Sequence, residues 1–232
     1  MNIRIWQLDI KVELLKDIYL QELMTRVAYF IDHAMVDSPR WADYHRSNDA
    51  KLYCFNSLYP IEKSGVYRAG NQYTIQLRTV SETLKNYLLI SMGDNRSREM
   101  KTVSVACKEI GYRHLDKIVS VTPLILKTSG GYWKDYLLER EFLEELKINI
   151  IKKYRMFTNE DIEDGVKIFK NLTLKNRGPV AQQYKGIRIL GDKVILEIEN
   201  TPEAQKLAFF SLGTGCGCMT ARGFSFMNPR WG

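Results

Sequence analysis

The chain has few residues suited to proton transfer near neutral pH. Its 232 residues include three histidines, His33, His45 and His114, and histidine is the side chain whose ordinary pKa falls in that range. Imidazole chemistry is confined to these three. Cysteine is scarce too: Cys54, Cys107, Cys216 and Cys218 form neither a paired CxxC set nor a secreted framework. Reduced thiols in a cytoplasm are expected, not a disulfide scaffold or a zinc site. No apolar run approaches the ~20 residues that span a bilayer, and residues 1–7 have no signal-like apolar core. The expectation is a soluble, cytoplasmic chain with no membrane partner.

Other absences narrow the function class. No Asp/Glu/His cluster has metal-ligand spacing, no nucleophile elbow is present, and no Gly-Lys-Ser/Thr follows the glycines. Neither a metal nor a nucleotide cofactor is expected. Acidic residues are missing from 165–191, which holds Lys167, Lys170, Lys175, Arg177, Lys185 and Arg188, and from everything after Glu203, where Lys206, Arg222 and Arg230 lie. The formal charge of +7 is thus concentrated in the last third, which favours a polyanionic partner.

What the chain does have is glycine near its end. Gly213, Gly215, Gly217 and Gly223 fall within residues 212–226, after a helix expected from Thr201 as N-cap and Pro202 at the first helical position. Glycine tolerates positive φ and close approach of a ligand, so the stretch reads as an anion cradle. The competing reading is a helix C-cap followed by a hairpin turn.

Periodicity supplies the architecture. Trp6, Leu8, Ile10 and Val12 alternate as in a strand, and a helical stripe then runs from Leu20 to Ala34. After a polar loop at 39–49, strands are expected at 51–55 and 73–79, a helix at 81–91 and a strand at 102–107. That order, β-α-β-β-α-β, is the ferredoxin-like unit that RNA-recognition modules also use. A second unit follows: β-rich 118–127, a long helix over 132–154, a hairpin turning at Gly191-Asp192, the helix from Thr201, and a strand at 223–227. The fold class is therefore α+β, two tandem ferredoxin-like domains (1–116 and 117–232) with a C-terminal glycine-rich loop.

Among the histidines, His45 stands in the polar loop, with Lys51 six residues later and Tyr29 on the preceding helix. An imidazole, a phenol and an ammonium can move a 2′-hydroxyl proton, protonate a leaving oxygen and stabilise a pentacovalent phosphate. His33 shares a helix face with Tyr29 and is the alternative imidazole. His114 sits beside Tyr112 and Arg113 at the domain junction, a boundary position.

The run from His45 through Lys51 and Phe55 to Leu58 resembles the His-x₅-Lys-x-Phe-x-Phe-Ser-x-Leu region of the CRISPR repeat-processing endoribonucleases of the RAMP superfamily. The glycine stretch is similar to that family's C-terminal G-x-G…G-F-G loop. Three departures are visible: Ser225 in place of the last glycine, seven residues between Gly215 and Gly223, and Tyr53 where Phe is frequent. The resemblance implies His45, Tyr29 and Lys51 as catalytic residues, with His33 the competitor. It also implies RNA contacts from the loop, Gly213, Gly215, Gly217, Arg222 and Gly223; the acid-free tract independently offers Lys175, Arg177, Lys185 and Arg188 to the RNA. The implied activity is metal-independent cleavage of CRISPR repeat transcripts by 2′-hydroxyl attack, giving 2′,3′-cyclic phosphate and 5′-hydroxyl ends. The implied partner is repeat RNA, with other effector-complex proteins and a homodimer left open. A non-catalytic RAMP-type RNA-binding subunit is the alternative, and a ferredoxin-like regulator binding a small molecule the outsider.

Overall fold

Alternation in the first segment becomes the centre of the first sheet. In the computed structural model, which describes residues 3–128, 130–163 and 165–232, β1 (Ile5–Leu14) buries Leu8, Ile10, Val12 and Leu14 and exposes Lys11. A short β2 (Ile18–Tyr19) leads into α1 (Leu20–Val36), whose stripe of Leu23, Val27, Phe30, Ile31 and Ala34 is buried. Then come α2 (Pro39–Arg46), β3 (Tyr53–Phe55), β4 (Val66–Tyr67), β5 (Gln72–Thr79), α3 (Glu82–Ser91) and β6 (Met100–Ile110). The sheet order is β3-β5-β1-β6, with antiparallel neighbours throughout.

The second half repeats the plan. Its elements are β7 (Leu115–Ser120), α4 (Glu139–Thr158), β8 (Phe169–Leu174), β9 (Val180–Tyr184), β10 (Ile187–Gly191), β11 (Val194–Ile198), α5 (Pro202–Thr214) and β12 (Met227–Trp231). The sheet runs β12-β7-β11-β8. Reading each sheet's own strands by rank gives fourth, first, third, second in both, the antiparallel ferredoxin-like arrangement. The protein is thus two tandem ferredoxin-like units, and β9 with β10 forms a hairpin inserted between the second unit's middle strands. The expected division at 116/117 falls inside β7.

Several expectations are corrected. The polar loop at 39–49 is helical over Pro39–Arg46, because Pro39 starts the helix and Trp41 and Ala42 are buried. The hairpin turns at Lys185-Gly186, with φ of 50° and 79°, not at Gly191-Asp192, and β10 pairs with β9 while β11 pairs with β7 and β8. Asp192 is no turn residue: fully buried, it accepts from the Tyr132 hydroxyl, Trp133 Nε1 at 2.7 Å and Asn176 Nδ2 at 2.7 Å. That anchor also holds Trp133 in a short 3₁₀ turn, so α4 starts at Glu139.

The two units interlock. Phe224 and Tyr184 of the second unit lie in the first unit's core, and Ile5 and Val80 of the first lie in the second's. Fully burying a Phe-sized side chain stabilises by roughly 1.5–3 kcal/mol, so Phe224 by itself ties the tail firmly to the first unit. Among the described residues, no helix is long and apolar enough to cross a membrane.

Candidate active site at the junction of the two units

Four elements bring charged groups together where the units meet. The last turn of α2 presents His45, and α1 presents Asp32, with His45 Nδ1 3.2 Å from Asp32 Oδ1. From the segment after α5, Arg222 Nη1 donates to Asp32 Oδ2 at 2.9 Å. From the β9–β10 turn, Lys185 meets α1, its backbone N–H donating to Thr25 Oγ1 at 3.4 Å. The side chains of His45, Asp32 and Arg222 are 20%, 17% and 27% exposed. The cluster is sheltered but reachable.

Burial sets the protonation states. It pushes His45 down to about 4, helped by the positive charge of Arg222, Lys51, Lys185 and Arg46. It pushes Asp32 up to about 6 against the opposing pull of Arg222 and Lys185. At neutral pH the imidazole is therefore uncharged and the carboxylate ionised. The two face each other outside hydrogen-bond geometry.

The other predicted residues are placed unevenly. Tyr29 is on α1, 55% exposed, one turn before Asp32, and its ring centroid is 6.3 Å from that of His33. His33 Nδ1 bonds the Asn95 side-chain oxygen at 2.9 Å, and Asn95 in turn donates to Phe30 O. Lys51 caps the end of α2: its ammonium donates to Tyr44 O, to Ser47 O at 2.8 Å and to Ser47 Oγ at 2.9 Å. A cation is favoured at a helix C-terminus, so Lys51 secures the turn that carries His45. Arg188 lines, with Lys185, Ile187, Tyr132 and Met219, a cleft of about 550 Å³ beside the hairpin. Lys175 and Arg177 are exposed on the connection from β8 to β9.

The glycines are placed differently from the expected open cradle. Gly213 lies inside α5, and Gly213, Gly215, Gly217 and Gly223 are all buried. A Cβ on Gly223, at φ +83°, would stand 2.8 Å from Phe55 Cε2, and one on Gly217 2.7 Å from Ile125 O. Close packing against the chain's own atoms explains glycine at both. The carbonyls of Thr214, Gly215 and Gly217 turn inward to the buried Lys153 ammonium, which donates to them at 3.3, 3.1 and 3.0 Å. Of this segment, Arg222 is the charged side chain that reaches the cluster. Asp32 was missed by sequence reasoning, as one acid among the polar positions of an amphipathic helix. No group of three or more His, Cys, Asp or Glu side chains that could hold a metal occurs among the described residues.

Two ferredoxin-like units thus meet at a sheltered histidine with a basic rim. A family model described as CRISPR associated protein Cas6, C-terminal, matches residues 107–229, and the chain belongs to that family. A curated relative, CRISPR-associated endoribonuclease Cas6 2 of Methanocaldococcus jannaschii, is 21% identical over 215 residues, covering 85% of this chain and 88% of the relative. Among solved structures, one named CRISPR associated protein Cas6 superposes with a TM-score of 0.73 at 17% identity, covering 97% of this chain and 99% of the other. Another, described as an RAMP protein binding different RNA substrates, gives 0.71 at 14% identity with the same coverage.

Proposed function

We propose that the protein is an endoribonuclease that cuts CRISPR repeat transcripts without a metal, with His45 as general base. Family membership and the endoribonuclease name of its Methanocaldococcus relative support the substrate class. The observation that carries the chemistry is the uncharged His45 imidazole facing Asp32 beside Arg222 and Lys185.

His45 takes the proton of a ribose 2′-hydroxyl, and the 2′-oxygen attacks the adjacent phosphorus. The bond from phosphorus to the 5′-oxygen breaks, that oxygen takes a proton from water, the imidazolium returns its own to solvent, and the products end in a 2′,3′-cyclic phosphate and a 5′-hydroxyl. Arg222 and Lys185 supply positive charge for the non-bridging oxygens, whose charge builds up in the transition state. Tyr29 offers a hydroxyl to the RNA from the exposed side of α1, and Lys51 acts by holding the end of α2. Exposed Lys175, Arg177, Lys185 and Arg188 extend the phosphate-binding surface. Incubating the protein with repeat RNA in EDTA and mapping product ends tests this reading. Cyclic phosphate and 5′-hydroxyl ends are expected. Binding with no cleavage would favour the non-catalytic RNA-binding subunit instead.

A further inference from the structure

Asp32 occupies an unusual position for a carboxylate. One oxygen faces the imidazole of His45 from α2 and the other holds Arg222, which comes 190 residues later in the chain. Both Asp32 Oδ1 and His45 Nδ1 are buried without a hydrogen bond, and so is the hydroxyl of Tyr53 on β3. Tyr53 and Tyr184 also interact electrostatically with Asp32. A buried polar atom without a partner is costly, by about 1–3 kcal/mol. Buried polar groups are nearly always hydrogen-bonded, so these atoms call for a functional explanation.

We propose that Asp32 is a positioning residue for His45: it accepts a hydrogen bond from Nδ1–H, fixes the tautomer with Nε2 free to take the 2′-hydroxyl proton, and stabilises the imidazolium. This rests on His45 being the general base. A small rotation of the ring turns the 3.2 Å approach into a hydrogen bond, and the bond strengthens as the ring becomes charged, since charge-assisted bonds are roughly twice as strong as neutral ones. The Arg222 contact keeps the carboxylate from swinging away, and it couples the base in the first unit to the tail of the second.

The charged and titratable groups facing Asp32 are His45 from α2, Arg222 from the segment after α5, Lys185 from the β9–β10 turn, Tyr53 from β3 and Tyr184 from β9. The positive charges of Lys51 and Arg46 also act on His45. Burial raises Asp32 to about 6 and disfavours charge on His45, so on acidification the carboxylate gains its proton well above the ordinary carboxylate range. The wild-type kcat/KM, which reports groups of the free enzyme, should therefore fall as pH drops through about 6.

The test measures kcat/KM on a repeat RNA from pH 4.5 to 8 for wild type, Asp32→Asn and His45→Ala, with Kd for the same RNA carrying a 2′-deoxy nucleotide at the scissile position. For Asp32→Asn a loss of roughly 10²-fold at pH 7.5 is expected, the low end of what positioned acid-base catalysis contributes, with Kd within about twofold. The loss should shrink as pH falls below 6, because the wild-type carboxylate is then protonated and the variant has no carboxylate to protonate. A loss that stays constant with pH, or that follows Kd, would reduce Asp32 to a structural tether for Arg222 and overturn the proposal. If Asp32→Asn does not fold, the wild-type profile decides: an acidic limb near 6 supports the role, and a profile that stays flat down to pH 5 overturns it. Wild-type rates from His45→Ala would instead sink the general-base reading, whatever Asp32→Asn does.

Discussion

Arg78 on β5 donates to the main-chain oxygen of Met227 on β12 at 2.6 Å, crossing from the first unit to the second. Its Nη2 reaches Asn228 Oδ1 at 2.8 Å, its Nε reaches Gln7 Oε1 at 2.8 Å, and its guanidinium lies 4.4 Å from the centroid of the Phe226 ring. These contacts tie β5 of the first unit to β12 of the second.

Replacing Arg78 with Ala removes a charged donor from a buried carbonyl. Hydrogen bonds to charged groups contribute about 1.5–3 kcal/mol each, so the variant should lose at least that much stability. For a chain of this size that is a fall in Tm of roughly 3–12 °C. Differential scanning calorimetry of both proteins at one pH checks it. An unchanged Tm would mean that the interdigitated cores alone hold the units together.

Gly223→Val should act on folding before it acts on RNA. The new side chain would meet Phe55 and Met24 at a positive φ, and overpacking a core costs about 1–3 kcal/mol. Gly186→Ala is the control, because its φ of +79° is equally left-handed but no atom lies within 4 Å of the added Cβ. Urea midpoints should drop well below the control for Gly223→Val, with RNA affinity falling only as structure is lost. A folded Gly223→Val that no longer binds RNA would restore the open-cradle reading of the tail.

The hairpin offers a cleaner test of phosphate binding. Lys185 and Arg188 are exposed, and Lys185 faces the Asp32–His45 pair. Charge reversal at both should weaken repeat-RNA binding and lower the log-log salt slope by about one for each phosphate no longer neutralised. The same pair of changes at Lys175 and Arg177 measures how far the surface extends. Filter binding at several salt concentrations reads both, and an unchanged slope in a variant removes its residues from the interface.

Much of this fold was legible because burial has a period. Leu8, Ile10 and Val12 alternate, Leu23, Val27 and Ile31 recur every four residues, and both patterns survive folding because one face of each element meets a core. The second hairpin was not legible, since Gly191-Asp192 has the composition of a turn, yet its carboxylate is recruited by Tyr132, Trp133 and Asn176 from other elements. Lys185-Gly186 was hidden inside a basic tract read only for charge. At the site, local spacing could pair Tyr29 with His33 but could not bring Arg222 to Asp32, because that meeting exists only after the two units dock. Lys51 was legible as a nearby cation, but its ammonium is turned to the carbonyls that end α2.

Acid titration should expose the Asp32–His45 pair through stability. Asp32 has a folded pKa of about 6, raised from 3.8, so its contribution to stability is present below 3.8 and is lost as pH rises through 6. His45 has a folded value of about 4, lowered from 6.5, so its contribution is present above 6.5 and is lost as pH falls through 4. Across this window the two trends oppose each other and the wild-type curve gains little slope from the pair. Asp32→Asn removes the falling component, so Tm of the variant minus Tm of wild type should increase with pH between about 4 and 6. A flat difference would show that Asp32 titrates as in the unfolded chain, and a falling one that its folded pKa is lowered; either result excludes the raised value.

The choice between two imidazoles is the sharpest test of the chemistry. His45 Nδ1 faces a carboxylate at the junction of the units, among Arg222, Lys185 and Lys51, whereas His33 is tied to the side chain of Asn95 at 2.9 Å within the first unit. Only the first arrangement combines a proton acceptor with positive charge for a phosphate. His45→Ala should therefore lose roughly 10²–10⁴-fold in cleavage, the range of positioned acid-base catalysis, while keeping RNA affinity. His33→Ala should lose stability through the freed Asn95 but cleave within about tenfold of wild type at a temperature where it is folded. Tyr29→Phe should show a smaller defect than His45→Ala, because its hydroxyl is exposed and supplies one hydrogen bond. Bound and cut fractions are measured separately on repeat RNA, and again on RNA with a 2′-deoxy nucleotide at the scissile position, all in EDTA. Cleavage of the deoxy strand would exclude attack by the 2′-hydroxyl. Full activity of His45→Ala together with an inactive, folded His33→Ala would move the base to α1 and leave the Asp32–His45 pair without a catalytic role.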